Sequence, residues 1–293
     1  MKFAVAGVSG RTGRVVADTL LNAGHAVRVI VRERSKAEAF VARGAEVAVA
    51  DLGDASALTA ALTGVDGAYL LIPPRMAPGF RAYQNATSHA ILTAVEAAQV
   101  PHVVALSSFG AQLPDGNGPI AGLYPLEHGL RAIHDGDPSI SATFLRAAYF
   151  VENLAGSLSM LDQGIVPGFV PIDAPIDMIA TVDIGAVAAQ LLAEGGHGVQ
   201  IVELGGPPVT MAEVAATLST LTGRSITAVA APLEQLVPTF MGFGVPEEIA
   251  ALYREMTDGM LSGRVTWEGG HRRLMGKTPL ADVLRDLVSI PAA

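Results

Sequence analysis

Three glycines near the amino terminus, Gly7, Gly10 and Gly13, stand three apart in the run Lys2-Phe3-Ala4-Val5-Ala6-Gly7-Val8-Ser9-Gly10-Arg11-Thr12-Gly13-Arg14-Val15-Val16. The chemistry this spacing points to is phosphate binding. A strand-like run leads into the glycines, and Val15, Val16, Leu20 and Leu21 recur at helical spacing after them, so the segment reads as strand, tight turn, helix. Such a turn presents bare backbone N–H groups at a helix N-terminus, where unpaired donors and the positive end of the helix dipole favour a phosphate. Glycine is needed because a Cβ would block either the turn or the approach of a pyrophosphate. Ser9, Arg11 and Thr12 lie inside the loop and belong to the same expected site. The spacing is GxxGxxG rather than the GxGxxG fingerprint, so its weight comes from its place between a strand and a helix.

A second group of residues says which dinucleotide to expect. An acidic residue about 20 positions after the glycine loop suits the ribose 2′-hydroxyl of NAD, whereas arginine suits the 2′-phosphate of NADP. That place reads Val31-Arg32-Glu33-Arg34-Ser35-Lys36. Arg32 is therefore the expected 2′-phosphate ligand, with Arg11 and Lys36 as helpers, because a guanidinium grips a phosphate through two hydrogen bonds. NADP(H) is expected ahead of NAD(H), with Glu33 as the one residue pointing the other way.

Composition removes other chemistries. The chain of 293 residues is 50% hydrophobic and 16% charged, the profile of an ordered protein of one large or two closely joined domains. A net charge of −9 argues against a nucleic-acid partner. With no cysteine there are no disulfides, thiolate metal sites or cysteine nucleophile, which fits a reducing cytoplasm. The first apolar run is broken by Ser9, Gly10 and Arg11, and no later run approaches a membrane span, so the expected location is cytoplasmic with no membrane partner. There is no GxSxG nucleophile elbow, and the glycine loop lacks the Lys-Ser/Thr ending of an NTPase loop. His134-Asp135-Gly136-Asp137-Pro138 has no second histidine at ligand spacing and reads as a turn, so no metal is expected.

The elements that must position these residues alternate. Strands are predicted at Ala26–Val31, Glu46–Ala50, Ala68–Ile72, His102–Leu106, Ser141–Leu145 and Val199–Glu203, with helices over Ser35–Arg43, Ala55–Leu62, Asn85–Ala98, Leu126–His134, Val182–Leu192 and Met211–Thr222. The last helix opens on a Thr210/Glu213 capping box. Strands this apolar, joined by helices, imply an α/β fold with a doubly wound parallel sheet covered on both faces, its ligands at the carboxyl ends of the strands. The boundary is placed at 150: residues 1–150 as the NAD(P)-binding domain and 151–293 as a smaller, mainly helical substrate domain, with 182–204 interleaving with the first. Ala111 to Gly122 reads as an irregular lid, and Phe240-Met241-Gly242-Phe243 as either core or pocket lining.

Several motifs together resemble one family. GxxGxxG at the amino terminus, Val31-Arg32 closing the second strand, Ala50-Asp51-Leu52 closing the third, and Leu145-Arg146 followed by Phe150-Val151-Glu152-Asn153-Leu154 are similar to the NmrA-like branch of atypical short-chain dehydrogenase/reductases. Asp183-Ile184-Gly185, Glu203-Leu204-Gly205-Gly206-Pro207 and Gly276-Lys277-Thr278-Pro279-Leu280 extend the resemblance over nearly the whole chain. It implies a Rossmann domain preferring NADP(H), with Asp51 and Leu52 beside the adenine, Leu71, Ile72 and Pro73 along the middle of the cofactor, and Phe150 and Asn153 at the substrate. It also implies either a quinone or carbonyl reductase or a protein that binds the cofactor and regulates a partner without turnover.

The wider superfamily reduces carbonyls with a YxxxK pair on one helical face, the lysine lowering the tyrosine pKa. Here the corresponding run is Tyr124-Pro125-Leu126-Glu127-His128, with histidine in place of lysine. A tyrosine with a pKa of about 10 is a poor acid, and imidazole stabilises its anion only while protonated, below about pH 6.5. Pro125 also pushes Tyr124 out of helical geometry. Ser107 and Ser108 close the fifth strand where the superfamily's serine would lie, Ser108 as a catalytic and Ser107 as a cofactor-side candidate. A quinone needs less, because hydride passes directly to an electrophilic ring with protons from water. The expected function is an NADPH-dependent oxidoreductase acting on a quinone or small carbonyl compound, a small-molecule substrate, with a homodimer as its expected assembly. The alternatives are an NADP(H)-sensing regulator with a protein partner and a sugar-nucleotide epimerase.

Overall fold

The computed structural model describes residues 1–289. The first half alternates as its hydrophobic periods require: β1 (Lys2–Val5), β2 (Ala26–Val31), β3 (Glu46–Val49), β4 (Gly67–Leu70), β5 (His102–Ser108) and β6 (Ser141–Ala147), separated by α1 (Arg11–Asn22), α2 (Glu38–Val41), α3 (Ala55–Leu62), α4 (Phe80–Ala98) and α5 (Leu123–Gly136). The second half adds the short strands β7 (Tyr149–Phe150), β8 (Ile165–Gly168), β9 (Ile176–Ile179), β10 (Val199–Gly205), β11 (Pro208–Val209), β12 (Thr227–Ala230) and β13 (Arg272–Met275). Its helices are α6 (Thr181–Glu194), α7 (Met211–Thr222), α8 (Leu236–Gly242), α9 (Glu247–Leu261) and α10 (Leu280–Ser289).

Eight strands form one parallel sheet in the order β13-β10-β6-β5-β4-β1-β2-β3. Period-two alternation divides the core: Phe3 and Val5 face one side with Val16, Leu20 and Ile184, and Ala4 and Ala6 face the other with Leu58, Leu62, Ile91 and Phe144. Covering both faces is why these strands read as continuous apolar runs. The winding reverses between β1 and β4, which places a crevice at their carboxyl ends.

Although they follow residue 150, β10, β13 and α6 belong to this sheet layer. Helix α6 lies so close to α1 that a Cβ on Gly185 would stand 2.5 Å from Val15 Cβ and 2.8 Å from the Thr12 carbonyl. Two residues earlier, the Asp183 carboxylate accepts hydrogen bonds from the backbone N–H groups of Lys277 (3.1 Å) and Thr278 (3.0 Å) and from the Thr278 hydroxyl (3.0 Å), anchoring the link from β13 to α10. A second core of Val166, Met211, Val214, Leu218 and Leu284 holds the remaining helices and the short strands.

The structure departs from the sequence reading in four places. Helix α4 starts at Phe80, not Asn85, because the carboxylate of Glu248 on α9 accepts from the N–H groups of Gly79 (2.8 Å) and Phe80 (3.1 Å). The helix expected over Ser35–Arg43 is a 3-10 turn, Arg34–Ala37, followed by the single turn of α2. Tyr124 lies within α5, and Pro125 is accommodated in its first turn, where the missing N–H would have no helical partner anyway. Ala111 to Gly122 is a packed segment: the fully buried Asn117 amide donates to the carbonyls of Gly110 (2.8 Å) and Leu113 (3.0 Å), and a 3-10 turn follows over Gly118–Gly122.

His102, the first residue of β5, is 4% exposed, with Nε2 3.0 Å from the Thr143 hydroxyl. Burial, helped by the neighbouring His197, pushes its pKa down to about 4. As pH falls below the unfolded value of about 6.5, the unfolded chain takes up a proton that the folded chain refuses, so folding stability drops by up to about 3 kcal/mol before the loss levels off below the folded pKa. Urea denaturation at pH 7 and pH 4.5 should show this drop in the wild type and a smaller one in His102→Gln.

Candidate active site

The three glycines do different work at the switch point. Gly7 adopts φ +69°, and a Cβ there would lie 2.7 Å from Leu71 Cδ2. The Gly10 N–H donates to the Gly7 carbonyl at 2.9 Å and closes the turn. Gly13 lets α1 rest on β1, since a Cβ would meet the Ala6 carbonyl oxygen at 2.3 Å and Gly7 backbone at 2.5 Å. Helix α1 has no side-chain cap and no acidic residue in its first turn. By contrast, α3 is capped by Asp54 (3.0 Å from the Ala57 N–H), and Thr210 and Glu213 cap each other's backbone at α7. The donors opening α1 therefore remain free for an anion.

These residues open onto a cleft of about 1040 Å³ that follows the carboxyl ends of the strands from β3 to β6. Gly7, Ser9, Gly10, Arg11 and Thr12 line it at the turn, Arg32, Asp51 and Leu52 at the ends of β2 and β3, and Leu71 and Ile72 after β4. Ser107 and Ser108 line it at the end of β5, and Phe150 and Asn153 after β6. Gly13 supports the loop from behind. Lys36 lies outside the lining, exposed on the 3-10 turn after β2. Two of the lining side chains are also tied into the fold. Thr12 Oγ1 accepts from the Tyr69 hydroxyl (2.9 Å), a phenol whose burial holds its pKa above the ordinary range, and Asp51 accepts from the Gly53 N–H (2.8 Å) in an Asx turn.

The Tyr124/His128 pair forms, but neither residue lines the cleft. The rings stack with centroids 3.8 Å apart, and His128 Nδ1 is 3.1 Å from the Tyr124 carbonyl oxygen, while the residue this helix sends to the cleft is Leu123. Phenols do reach the cleft from elsewhere: Tyr83 on α4, Tyr149 on β7 and Tyr253 on α9. Burial, with Tyr253 nearby, pushes the Tyr149 hydroxyl up to about 12 against the opposing hydrogen bond to Asn153. Phe240 does not line the cleft and instead stands behind Tyr253, ring centroids 5.6 Å apart, while Met241 and Phe243 are exposed. Tyr149 adjoins the Phe150-Asn153 motif and was within reach of sequence reasoning. Tyr253 and Met256 carry no local signal, because only the fold brings α9 to this wall.

Beneath Ser107 lies a buried ionic group. Glu127 on α5 accepts from the Ser107 hydroxyl (2.5 Å) and from Arg146 Nε (3.0 Å) and Nη2 (2.6 Å), while Arg146 Nη1 reaches Glu268 (2.5 Å). Burial by itself lowers the Arg146 pKa, but bonding to Glu127 and Glu268 outweighs it and holds the guanidinium above its ordinary value. The Ser107 hydroxyl is thus committed to Glu127 beneath the cleft, and Ser108 is the other serine lining the cleft at the end of β5. His134 is likewise structural: its Nδ1 meets the Ile140 carbonyl at 2.8 Å, and Asp137 caps a turn at Ser139.

Fold and cleft together define a nucleotide-cleft protein of the Rossmann class. The chain belongs to the NmrA-like family, whose model matches residues 1–270. It is 32% identical over 255 residues to the NAD(P)H azoreductase of Xenophilus azovorans, covering 86% of this chain and 85% of that protein. It is 30% identical over 265 residues to quinone oxidoreductase 2 of Escherichia coli, covering 89% and 88%. The crystal structure of the E. coli NADPH-dependent quinone oxidoreductase complexed with NADPH superposes with a TM-score of 0.74 at 26% identity, over 98% of this chain and 99% of that one. The Citrobacter triphenylmethane reductase shares the fold, with a TM-score of 0.81 at 21% identity, over 99% of this chain and 100% of that one.

Because Glu127 is buried and Glu268 is 43% exposed at its side chain, their removal should differ. Glu127→Ala leaves a buried guanidinium short of its main partner and should cost about 3–5 kcal/mol, whereas Glu268→Ala should cost about 1 kcal/mol or less. Chemical denaturation of both variants at neutral pH measures the gap.

Proposed function

We propose that this protein is an NADPH-dependent oxidoreductase that reduces a quinone, or a small carbonyl compound, by hydride transfer. The observation that carries the reading is one continuous cleft with uncapped helix donors and the cations Arg11 and Arg32 toward one end and an aromatic, apolar wall at the other. The names of the azoreductase and quinone oxidoreductase relatives support the same chemistry. Bound NADPH supplies the hydride, which with one proton from solvent converts a quinone to its hydroquinone and leaves NADP⁺.

The residues divide the work along the cleft. The first-turn N–H groups of α1 hold the pyrophosphate, with Gly7 and Gly10 keeping side chains out of its way. Arg32, flanked by Arg11, grips the 2′-phosphate; Asp51 and Leu52 flank the adenine, and Leu71 and Ile72 run under the middle. The Ser108 hydroxyl donates to an acceptor oxygen as charge develops there. Phe150 and Asn153, with Tyr253 and Met256 from the later chain, shape the acceptor wall together with Phe109, Leu123 and Tyr149 from the first half. Positioning and exclusion of water account for the rate, since an electrophilic quinone needs no strong general acid.

Steady-state rates of NADPH oxidation with a simple naphthoquinone test the reading. Arg32→Ala should raise KM for NADPH by about 10–100-fold while changing that for NADH less than about threefold; equal losses for both would remove Arg32 from the 2′-phosphate. Tyr124→Phe should leave quinone turnover within about twofold of wild type, and a loss of more than about tenfold would make this phenol the acid.

A further inference from the structure

Charge is unevenly distributed along the cleft. Arg11, Arg32, Asp51 and Arg75 line the half formed by α1 and the ends of β2, β3 and β4. Beyond β5, Glu152 is the one Asp, Glu, Lys or Arg among the described residues that line the cleft. Its Oε1 accepts from the Thr181 N–H (2.8 Å) and hydroxyl, whereas its Oε2 is buried with no partner among the described residues. No cation neutralises it there. Arg146, the guanidinium beneath this half, is 2% exposed and fully engaged by Glu127 and Glu268.

Besides the neutral polar side chains of Ser108, Asn153 and Thr181, the rest of this half is largely aromatic and apolar: Phe109, Leu123, Tyr149, Phe150, Tyr253 and Met256. Flat rings stack on such surfaces, and their faces attract cations. A sulfonate or carboxylate brought here would give up water without gaining a partner cation. It would also meet the Glu152 carboxylate, and on approach the field of a protein of net charge −9.

On the oxidoreductase reading above, we infer that the acceptor is a planar aromatic compound without negative charge, and that the site prefers a cationic acceptor over an anionic one with the same reacting ring. The selection acts on acceptor binding. It needs no contact with the 2′-phosphate end, where the protein's own cations are placed.

The test uses the wild-type protein with saturating NADPH and three naphthoquinones sharing one ring and one saturated linker, ending in trimethylammonium, methyl ether or sulfonate. The linker keeps the reduction potential of the ring constant, so differences report recognition. The expected result is a kcat/KM at least about tenfold higher for the ammonium than for the sulfonate compound, with the ether between them and the difference carried by KM. Equal values, or a faster sulfonate, overturn the inference while leaving the oxidoreductase reading intact. Absence of turnover with all three overturns that reading and the inference with it. Leu123→Lys, which places a cation in the acceptor half, should narrow the ammonium-to-sulfonate ratio by about threefold or more, and an unchanged ratio in the folded variant counts against the inference; the wild-type comparison decides the matter if the variant does not fold.

Discussion

The pairing of Arg146 with Glu127 governs the architecture of the active edge. A guanidinium at the end of a central strand, 2% exposed, is tolerable only if its donors are met. Meeting them fixes α5 against β6 through Glu127, fixes the end of β5 through Ser107, and pulls in Glu268 from the segment before β13. That same segment is held again where the Gly269 N–H donates to the buried Glu203 (2.9 Å), and where Trp267 Nε1 donates to Asp177 (2.6 Å). One charge thus sets the relative positions of four elements that meet under the acceptor half of the cleft. It also engages the Arg146 guanidinium fully with carboxylates, so this cation is not offered to the acceptor half of the cleft.

Close backbone approach is the complementary constraint. Gly13 brings α1 onto β1 and Gly185 brings α6 onto α1, so the helix whose N-terminus faces the cleft is clamped on two sides without side-chain bulk. Gly7 then turns the chain away beneath Leu71. A larger residue at any of the three would move the N-terminus of α1 relative to β4, and the phosphate donors would be displaced with it.

What the sequence made legible follows from the range of the contacts involved. The glycine loop, the core strands of the large sheet and the capping box at Thr210 and Glu213 depend on neighbours within a turn or on local periodicity, and all are where the pattern puts them. Arg32 lines the cleft because the position after β2 is fixed by strand register. Features made by distant residues were not legible. The start of α4 is capped by Glu248, 168 residues from Phe80; Arg146 finds Glu268 at a separation of 122 residues; and Tyr253 enters from a helix with no motif. Asn117 converts a glycine-rich stretch that reads as loose into a packed one through two carbonyls that its own sequence does not advertise. The second half was legible mainly through the family resemblance, whose Asp183-Ile184-Gly185 motif has a local meaning only once Thr278 and Val15 are seen beside it.

The Tyr124/His128 pair shows why spacing alone does not make a catalytic dyad. The i, i+4 relation does bring the rings together, as helical geometry demands. Which way the pair faces is set by the rotation of α5, and that rotation is fixed by burying Leu126, Glu127 and Leu130 against the sheet. Glu127 points inward to serve Arg146, while the flanking Tyr124 is half-buried, His128 is exposed, and the imidazole settles on its own helix carbonyl. The position of this helix that does line the cleft, four residues before Glu127, is Leu123. An acceptor that is already electrophilic takes hydride without a strong general acid, so the proposed reaction does not depend on this pair.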